Sequence, residues 1–258
     1  ELGALSWLDA LFEVRPAVRY GRLEDTPLIM VRTEQDLRNM IQEIKATCVG
    51  KELAVDLEHH DFRSYRGFTC LVQLSTRQKD FIVDPFDIFE QMHLLNEVFS
   101  DPRIVKVLHG SDRDVLWLQR DFSVYLVNMF DTGQATRELK LQGGFSLANL
   151  INFCCGLKLD KKYQTADWRE RPLSPEMVLY ARSDTHYLLY CYDCMKNALL
   201  SQVQNTSTEW QGKDGQAATE AGVKAMQAVL DRSTALCRQQ HTDSPLDAAN
   251  GAMRLCER

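Results

Sequence analysis

The chain has 258 residues, which is enough for one large α/β domain with extensions or for two small domains. Its 45% hydrophobic and 26% charged residues are typical of a globular protein, and no apolar run is long enough to cross a bilayer, so we expect no membrane partner. The formal net charge of −6 excludes a protein that holds nucleic acid mainly by neutralising many phosphates. A nucleic-acid partner would have to be bound over a short stretch only, or through metal ions, or with the help of other proteins.

The N-terminal part predicts little regular structure. Residues 1–30 show no sustained hydrophobic period, and we predict an extended strap lying on a domain. The chain begins at Glu1 rather than Met, and we expect it to be a fragment of a longer protein. A helix is predicted next, because Thr33 is a suitable N-cap and apolar residues follow at helical spacing, namely Leu37, Met40, Ile41 and Ile44.

The central part predicts a mixed sheet. Short apolar strands at residues 53–58, 69–75 and 80–83 are separated by turn-forming residues, which favours an antiparallel meander. From residue 88 onwards helices and strands alternate, which favours parallel strands. The predicted helices lie at 88–99, 112–122, 132–139, 146–155 and 174–200, and the further predicted strands lie at 104–108 and 124–130. The fold class is therefore α/β, with a mixed sheet of five to six strands, three antiparallel and then parallel ones, flanked by helices.

The composition changes near residue 201 towards Gln, Ala, Ser, Thr and Gly. Residues 212–215 have the composition of a linker, residues 223–237 predict one more helix, and we expect the remainder to be poorly ordered. The eight cysteines show neither the spacing of a disulfide framework nor that of a zinc site, so we predict free thiols in a reducing compartment.

Two acids stand out in the first predicted strand. Asp56 and Glu58 are two residues apart, so their side chains point to the same face of a strand. Two carboxylates on one face are costly unless a positive charge lies between them. A lone pair of this kind is more often a solvated surface feature, so a functional interpretation depends on further acids.

Two further acids are placed to meet this pair. Asp114 follows the predicted strand at 104–108, and Asp184 lies one helical turn after Tyr180, on the same helix face. If the strand of Asp56 neighbours that at 104–108, the four acids face one cleft. Four carboxylates cannot all stay ionised without a counter-charge, and oxygen ligands favour Mg²⁺ or Mn²⁺ over zinc. We therefore predict two divalent cations, which together can catalyse an in-line phosphoryl displacement.

These motifs carry a family resemblance. The stretches AVDLEHH (54–60), HGSDRDVLWL (109–118) and YARSDTHYLLY (180–190) resemble the three exonuclease motifs of the DEDD superfamily, in its tyrosine-bearing branch. The stretch KYQTADWRERPLS (162–174) resembles a signature of the ribonuclease D group. Within that group the chain is most similar to the eukaryotic exosome-associated exoribonucleases, through the doubled His59-His60 and through residues 63–67 and 128–132.

The resemblance implies an RNase H-like exonuclease fold over residues 31–200 and the release of nucleoside 5′-monophosphates from RNA 3′ ends. It implies that Asp56, Glu58 and Asp184 hold one cation. The second cation would be held by Asp56 and by Asp114, directly or through water. Tyr180 would orient the attacking water, because an unperturbed tyrosine has a pKa near 10 and is a poor base at neutral pH.

Further residues resemble the substrate contacts of the family. His59 and Trp117 would contact the terminal nucleotide, although Trp117 is flanked by leucines and could instead belong to the core. Lys161 would pair with a phosphate as a point charge, and Gln164 and Arg171 are further candidates.

Histidines and basic residues near the motifs complete the predicted site. His109 and His186 are expected to brace the motifs rather than to bind metal, because hard-ion sites rarely use imidazole. Local basic patches are predicted around the site, formed by Arg63, Arg66, Arg77, Lys79, Lys158, Lys161 and Lys162.

The resemblance also implies a domain organisation and partners. Residues 201–258 would be a linker and C-terminal helical segment, in which the HRDC domain usual in this family is absent or truncated. The expected partners are the 3′ end of single-stranded RNA, the nuclear exosome core and a small cofactor protein bound through regions outside this chain. The expected location is the nucleus and nucleolus.

Two alternatives to an exoribonuclease stay open. One is a DNA 3′–5′ exonuclease of the proofreading type, which would use the same carboxylates and differ only in its contacts to the 2′-hydroxyl. The other is a non-catalytic RNA-binding scaffold, which predicts the loss of at least one metal ligand, yet all four acids are present.

Overall fold

The structure is a computed structural model, and it describes residues 10–62, 66–202, 209–213 and 216–242. The strands are β1 Leu28–Val31, β2 Glu52–His60, β3 Phe68–Ser75, β4 Asp80–Val83, β5 Val105–Leu108 and β6 Met129–Asp131. The helices are α1 Glu34–Cys48, α2 Asn96–Phe99, α3 Asp114–Phe122, α4 Thr132–Glu138, α5 Leu147–Cys155, α6 Pro175–His186, α7 Leu188–Ser201 and α8 Glu220–Cys237. Short 3₁₀ helices lie at Phe89–Leu95 and Glu209–Gln211.

The strands form one mixed sheet in the order β1-β4-β3-β2-β5-β6. Antiparallel pairs join β2 to β3 and β3 to β4, whereas β1 pairs with β4, β5 with β2 and β6 with β5 in parallel. The predicted α/β class and the predicted order of antiparallel and then parallel strands are therefore confirmed. Strand β2 pairs with β3 over Ala54–His60 and with β5 over Glu52–Ala54, so it is an interior strand whose second half is paired on one side.

The sequence does not predict the edge strand β1, which crosses the predicted end of the strap at residue 30. Its four residues bury only Val31 fully, so the hydrophobic pattern that marks it is weak. The described residues before β1 form hydrogen bonds with the rest of the domain. The N–H of Ala17 donates to the carbonyl of Gln211 (2.7 Å), and the N–H of Val18 donates to Oδ2 of Asp193 (3.0 Å).

Strand β6 is shorter than the predicted strand at 124–130. Asn128 adopts a left-handed conformation (φ 57°), which interrupts an extended chain just before β6. The N–H of Tyr125 donates to Oδ1 of Asn96 (3.0 Å) and so lies outside the sheet ladder. Val124 and Leu126 are nonetheless buried, so the alternating pattern here reports burial rather than a strand.

The long helix predicted at 174–200 is two consecutive helices. Helix α6 ends at His186 and α7 begins at Leu188, with Tyr187 as a turn residue between them. The predicted N-cap is confirmed, because the hydroxyl of Ser174 accepts a hydrogen bond from the N–H of Met177 (3.2 Å). The break separates α6, which packs at one end of the sheet, from α7, which is buried along its whole length.

The side chains of β2 alternate between two hydrophobic cores. Val55 and Leu57 pack with α1 and α3 on one face, whereas Ala54 packs with α5 and α7 on the other. Asp56 and Glu58 share the face of Ala54, because strand side chains alternate. The ladder to β5 ends at Ala54, so the two acids lie beyond it, at the end of the sheet where a cleft opens.

The C-terminal part contains the predicted helix, α8, which starts three residues earlier than expected with Thr219 as its N-cap. The predicted linker at 212–215 lies partly outside the described residues. The thiols of Cys155 on α5 and Cys191 on α7 are 3.9 Å apart, and both are free cysteines. In the described part of the chain, no helix has the length and apolarity needed to cross a membrane.

Candidate active site

Strand β2 supplies the first two acids of the site. Asp56 lies opposite Gln73 of β3, and Glu58 lies opposite Leu71, with a β-bulge between Glu58 and His59. The bulge interrupts the strict alternation of side chains just after the acids. The side chain of Gln73 is fully buried and donates to Oε1 of Glu58 at 3.4 Å, a long hydrogen bond that orients this carboxylate.

Asp114 is positioned by a turn that Asp131 organises. The Asp131 carboxylate is fully buried and accepts hydrogen bonds from the N–H of Gly110 (3.2 Å) and from the N–H (2.7 Å) and hydroxyl (2.6 Å) of Ser111. Gly110 has a φ of +64°, which a residue with a side chain adopts only at a cost. The turn leads directly into α3, so Asp114 begins that helix at the edge of the cleft.

Asp184 is held in place by a clasp between α6 and the sheet. Asp80 of β4 accepts hydrogen bonds from Nε of Arg182 (2.5 Å), from Nδ1 of His186 (2.9 Å) and from the hydroxyl of Ser75 (2.7 Å). Arg182 and His186 stand on either side of Asp184 along α6, so the clasp fixes the helix at this acid. Sequence reasoning missed Asp80 and Asp131, although the position of Asp131 just before a helix start is a signal for an N-cap.

The structure brings the predicted acids together. One carboxylate oxygen from each of Asp56, Glu58 and Asp184 lies within 4.8 Å of the others, which is close enough for a shared cation. Asp114 is outside this group of three, but its charge raises the pKa of Glu58, so it lies in the same electrostatic site. The group of three lines a cavity of about 400 Å³, here named the carboxylate cavity.

Burial raises the pKa of all four carboxyl groups, and for Asp184 it does so to about 7. Mutual repulsion adds to the effect, because Asp184 further raises the pKa of Asp56, and Asp56 further raises those of Glu58 and Asp114. Asp56 and Asp114 keep some exposed surface, as expected at the base of an open cleft. The protein alone thus provides too little positive charge for four ionised acids.

The donor set fits a hard divalent cation. All four candidate ligands are carboxylates, and Mg²⁺ and Mn²⁺ prefer such oxygen donors. Among the residues that the structure describes, no lysine, arginine or histidine forms an ion pair with any of the four. Both ring nitrogens of His109 are engaged, with the Thr132 hydroxyl and the Phe145 carbonyl at 2.8 Å each, so this histidine braces the cleft as predicted.

Tyr180 also lines the carboxylate cavity, one turn before Asp184. Burial, and then the charges of Asp184, Glu58 and Asp56, raise the pKa of Tyr180 above its ordinary value. The hydroxyl therefore stays protonated at neutral pH and can donate and accept hydrogen bonds. These properties suit a residue that orients a water molecule rather than one that removes its proton.

His59 and Trp117 lie in a second cavity of about 610 Å³, here named the terminal cavity. It adjoins the carboxylate cavity, because Glu58 and Gln164 line both. Trp117 packs only partly against the core, so it is available on the cleft side. Of the other predicted substrate contacts, Lys161 and Gln164 line the carboxylate cavity.

Arg171 was among the predicted substrate contacts, but in the structure its guanidinium is bound by other residues of the protein. Its guanidinium donates to both carboxylate oxygens of Asp84, at 2.5 and 2.9 Å, and to the carbonyl groups of Cys70 and Trp168. It is not among the residues that line either cavity. An arginine whose donors are occupied in this way braces the loop that follows Trp168, and we no longer assign it to the substrate.

Two predicted members of the basic patch are likewise corrected. Arg77 forms a two-fold ion pair with Asp193 (2.8 Å for each contact) and a further one with Glu52, at the opposite end of β2. Lys79 pairs with Glu43. Arg63 lies outside the described residues. Charge alone suggested these residues, but the structure uses Arg77 and Lys79 to join parts of the scaffold.

The fold and the acids together define a class of protein. The family model of 3′–5′ exonucleases matches residues 28–200, which cover β1 to α7 and all four acids, and the chain belongs to this family. Two structural neighbours have the same RNase H-like fold. The catalytic core of RRP6 from Trypanosoma brucei has a TM-score of 0.79 and 41% identity and covers 90% of this chain and 58% of that one. Escherichia coli RNase D has a TM-score of 0.69 and 23% identity, with 86% and 53% covered, and supports the fold alone.

Two curated relatives have a higher sequence identity to the chain than these two structures have. The exosome complex component 10 homolog of Caenorhabditis elegans is 51% identical over 194 residues, which are 75% of this chain and 22% of the relative. The exosome complex exonuclease RRP6 of Saccharomyces cerevisiae is 47% identical over 190 residues, which are 74% of this chain and 25% of the relative. The chain thus spans about a quarter of the length of these relatives.

Proposed function

We propose that the protein is a 3′–5′ exoribonuclease that hydrolyses single-stranded RNA from its 3′ end and releases nucleoside 5′-monophosphates with the help of two divalent cations, Mg²⁺ or Mn²⁺. The observation that carries this proposal is the meeting of Asp56, Glu58 and Asp184 within 4.8 Å, beside Asp114 and without a counter-cation from the described residues. The family of 3′–5′ exonucleases supports the reaction, and the RRP6 relatives support RNA as the substrate.

Each residue has a distinct role in this proposal. Asp56, Glu58 and Asp184 would hold one cation, and Asp56 with Asp114 would hold the second, with Asp114 acting directly or through water. When bound, the cations would lower the pKa of the attacking water and offset the charge that develops during the in-line displacement. Tyr180 would hold the water in line with the phosphorus.

The remaining contacts would place the terminal nucleotide. Stacked on His59, Trp117 offers a flat surface for the terminal base or sugar, and Lys161 offers a positive charge to the scissile phosphate. Gln164 lies between the two cavities and can hydrogen-bond to the ribose. The O3′ atom of the penultimate nucleotide leaves, and the terminal nucleotide departs with its 5′ phosphate.

We further propose that the protein acts with the exosome in the nucleus and nucleolus. The named relatives are exosome components, and they are about four times longer than the matched region. The contacts to the exosome core and to a small cofactor protein would therefore lie outside this chain. Pull-down of the core by the chain and by the full-length protein tests this division, and equal capture by the chain alone would contradict it.

Digestion of a 5′-labelled RNA tests the proposed activity. We expect a ladder that shortens one nucleotide at a time in Mn²⁺ or Mg²⁺, no digestion in a chelator, and nucleoside 5′-monophosphates as products. Asp114→Asn should lower the rate by about 100-fold or more, since several kcal/mol of charge stabilisation are lost. Asp112→Asn is the matched control, because Asp112 is exposed and lies just outside the helix.

The two alternatives predict different outcomes. A proofreading-type nuclease would digest a DNA strand of the same sequence at least as fast as the RNA. A scaffold subunit would leave RNA intact with every divalent cation tried, although it would bind it. Equal rates for Asp114→Asn and the unaltered chain would remove Asp114 from the site.

A further inference from the structure

A third cavity, of about 420 Å³, lies on the other side of the carboxylates. It shares Leu159, Asp160, Tyr180 and Asp184 with the carboxylate cavity. Since the terminal cavity adjoins the carboxylate cavity at Glu58, the three cavities form one continuous row with the acids in the middle. The third cavity is here named the apolar basin.

The walls of the apolar basin are chemically unlike those of the other two cavities. Leucines and tyrosines form most of the walls. Leu179 of α6 is 52% exposed, although exposure of an apolar side chain to water is unfavourable in free energy. Tyr163 packs edge-on against Tyr180, with ring centroids 6.1 Å apart. Its ring is therefore held at the border between the basin and the carboxylates.

Two lysines stand at the rim of the basin. Lys158 and Lys162 are exposed, and neither forms an ion pair with the other residues that the structure describes. Nζ of Lys162 lies 5.1 Å from the ring centroid of Tyr163. Asp160 and Glu176 also line the basin, so the lysines provide local points of positive charge rather than a basic surface.

We propose that the apolar basin receives the nucleotides immediately upstream of the terminal one, so that the RNA strand enters past Leu179 and Tyr163. This inference rests on the proposed function. An exonuclease must place the terminal nucleotide on one side of the scissile phosphate and the rest of the strand on the other. With the terminal nucleotide on Trp117, the apolar basin is the cavity that continues the row beyond the acids.

The chemistry of the basin suits a single strand without a required sequence. Bases of any kind stack on aromatic and apolar surfaces, and each phosphate can pair with a lysine at the rim. A protein partner is a poorer fit, because the cores of protein interfaces are depleted of charged residues, whereas Lys158, Asp160, Lys162 and Glu176 all line this basin. The exposed face of α6 leaves the basin open, so that the strand can continue into solvent.

The length of the substrate separates this path from the catalytic step. The rates on a dinucleotide and on an octanucleotide are measured for Leu179→Ser, Lys158→Gln and Lys162→Gln. We expect kcat/KM for the octanucleotide to fall roughly tenfold in Leu179→Ser, about 1.4 kcal/mol, with a smaller fall in each lysine variant. The dinucleotide places only one nucleotide in the basin, so its kcat/KM should fall less than that of the octanucleotide.

Controls keep the test specific. Lys224→Gln removes the same charge from an exposed lysine on α8, and it should leave both rates unchanged. A photoreactive benzoylphenylalanine in place of Leu179, in an Asp56→Asn background that preserves the substrate, should cross-link to the second or third nucleotide from the 3′ end. Cross-links to the terminal nucleotide, or equal losses on both substrates, would overturn the path.

The rates on the two substrates distinguish a wrong RNA path from a wrong proposed function. An unaltered chain that digests neither substrate would refute the exonuclease activity itself. Normal digestion of both substrates by the Leu179 and lysine variants would refute only the path, and would leave the carboxylate site intact.

Discussion

The imidazole of His59 and the indole of Trp117 are stacked, with ring centroids 4.0 Å apart and ring planes inclined by 3°. Nη2 of Arg120 lies 3.0 Å from Nε2 of His59. Because arginine can only donate, this ring nitrogen is the acceptor. Burial, and then Arg120, lower the pKa of His59 to about 4, so the imidazole is neutral at physiological pH. The two rings form a rigid and uncharged surface, suited to stacking.

Replacing Trp117 tests this surface. We expect Trp117→Ala to raise KM roughly 5- to 150-fold, which corresponds to the loss of about 1–3 kcal/mol of stacking, with a smaller change in kcat. Trp117→Phe should recover most of the affinity. Steady-state kinetics on an oligonucleotide, with melting curves to confirm folding, provide the measurement. If the Ala and Phe variants have equal KM values, an aromatic surface at this position is not used.

Tyr180→Phe tests the role of the hydroxyl next to the acids. We expect kcat to fall while Mn²⁺ affinity stays near normal, because no cation ligand is lost. Titration of bound Mn²⁺ by electron paramagnetic resonance measures the affinity directly. Tyr125→Phe is a control, since Tyr125 is exposed and does not line the carboxylate cavity. A large loss of Mn²⁺ affinity in Tyr180→Phe would contradict a role in positioning water.

Asp80→Asn tests the clasp that holds α6. Burial raises the pKa of Asp80, but hydrogen bonds from His186 and Arg182 outweigh it and hold the pKa below its ordinary value. The stabilisation is therefore present above a pH of about 4 and is lost as the pH falls through the folded pKa. Removing the charge leaves Arg182 and His186 buried without their anion, which should cost about 3–5 kcal/mol of unfolding free energy.

Denaturant unfolding measures the loss of unfolding free energy in Asp80→Asn. The activity of this variant should also fall, at a temperature where it is folded, because Asp184 is displaced. Asp25→Asn removes a carboxylate from an exposed pair with Arg22 and should leave the unfolding free energy nearly unchanged. An Asp80→Asn variant as stable as the control would show that the clasp contributes nothing.

Lys106 predicts a pH dependence of stability that is unrelated to the acids. Its side chain is fully buried and donates to the carbonyl groups of Asp101 (2.7 Å) and Ile104 (2.6 Å). Burial lowers its pKa to about 7, from an ordinary value of 10.5. Between these values the unfolded chain binds a proton that the folded protein does not, so the unfolding free energy should rise with pH by up to about 1.4 kcal/mol per pH unit.

Lys106→Met should abolish this rise. Urea unfolding at pH 7, 8 and 9 compares the slopes, and the comparison does not depend on the absolute stability of the variant. Lys224→Gln, an exposed lysine, should keep the slope of the unaltered chain. Equal slopes for Lys106→Met and the unaltered chain would mean that Lys106 keeps its ordinary pKa.

The sequence predicts those features of the site that depend on the spacing of residues along a single strand or helix. The spacing of Asp56 and Glu58 places both on one strand face, and the spacing of Tyr180 and Asp184 places both on one helix face. The antiparallel meander follows from turn signals, and the later parallel strands follow from the alternation of helices and strands. The sequence does not predict strand β1 or the limits of β6. The four residues of β1 include only one fully buried side chain, so they carry no hydrophobic pattern. Val124 and Leu126 are apolar because they belong to the core, although they lie outside β6.

The supporting residues could not be predicted, because their partners are far away along the chain. Asp80 meets His186 across 106 positions, and Arg171 meets Asp84 across 87. Nothing near Arg171 in the sequence distinguishes an arginine that braces a loop from one that awaits a phosphate. Only the folded sheet shows which carboxylate occupies its donors.

The clasp at Asp80 has a consequence for the growing polypeptide. The β-strand that bears two of the four acids is made early in translation, yet the helix that completes the group is fastened by a strand that must already be in place. A ribosome-bound chain that stops before residue 175 would thus contain all six strands of the sheet but not Asp184. The group of four acids is therefore complete only when residues 175–200, the last part of the domain, have been made.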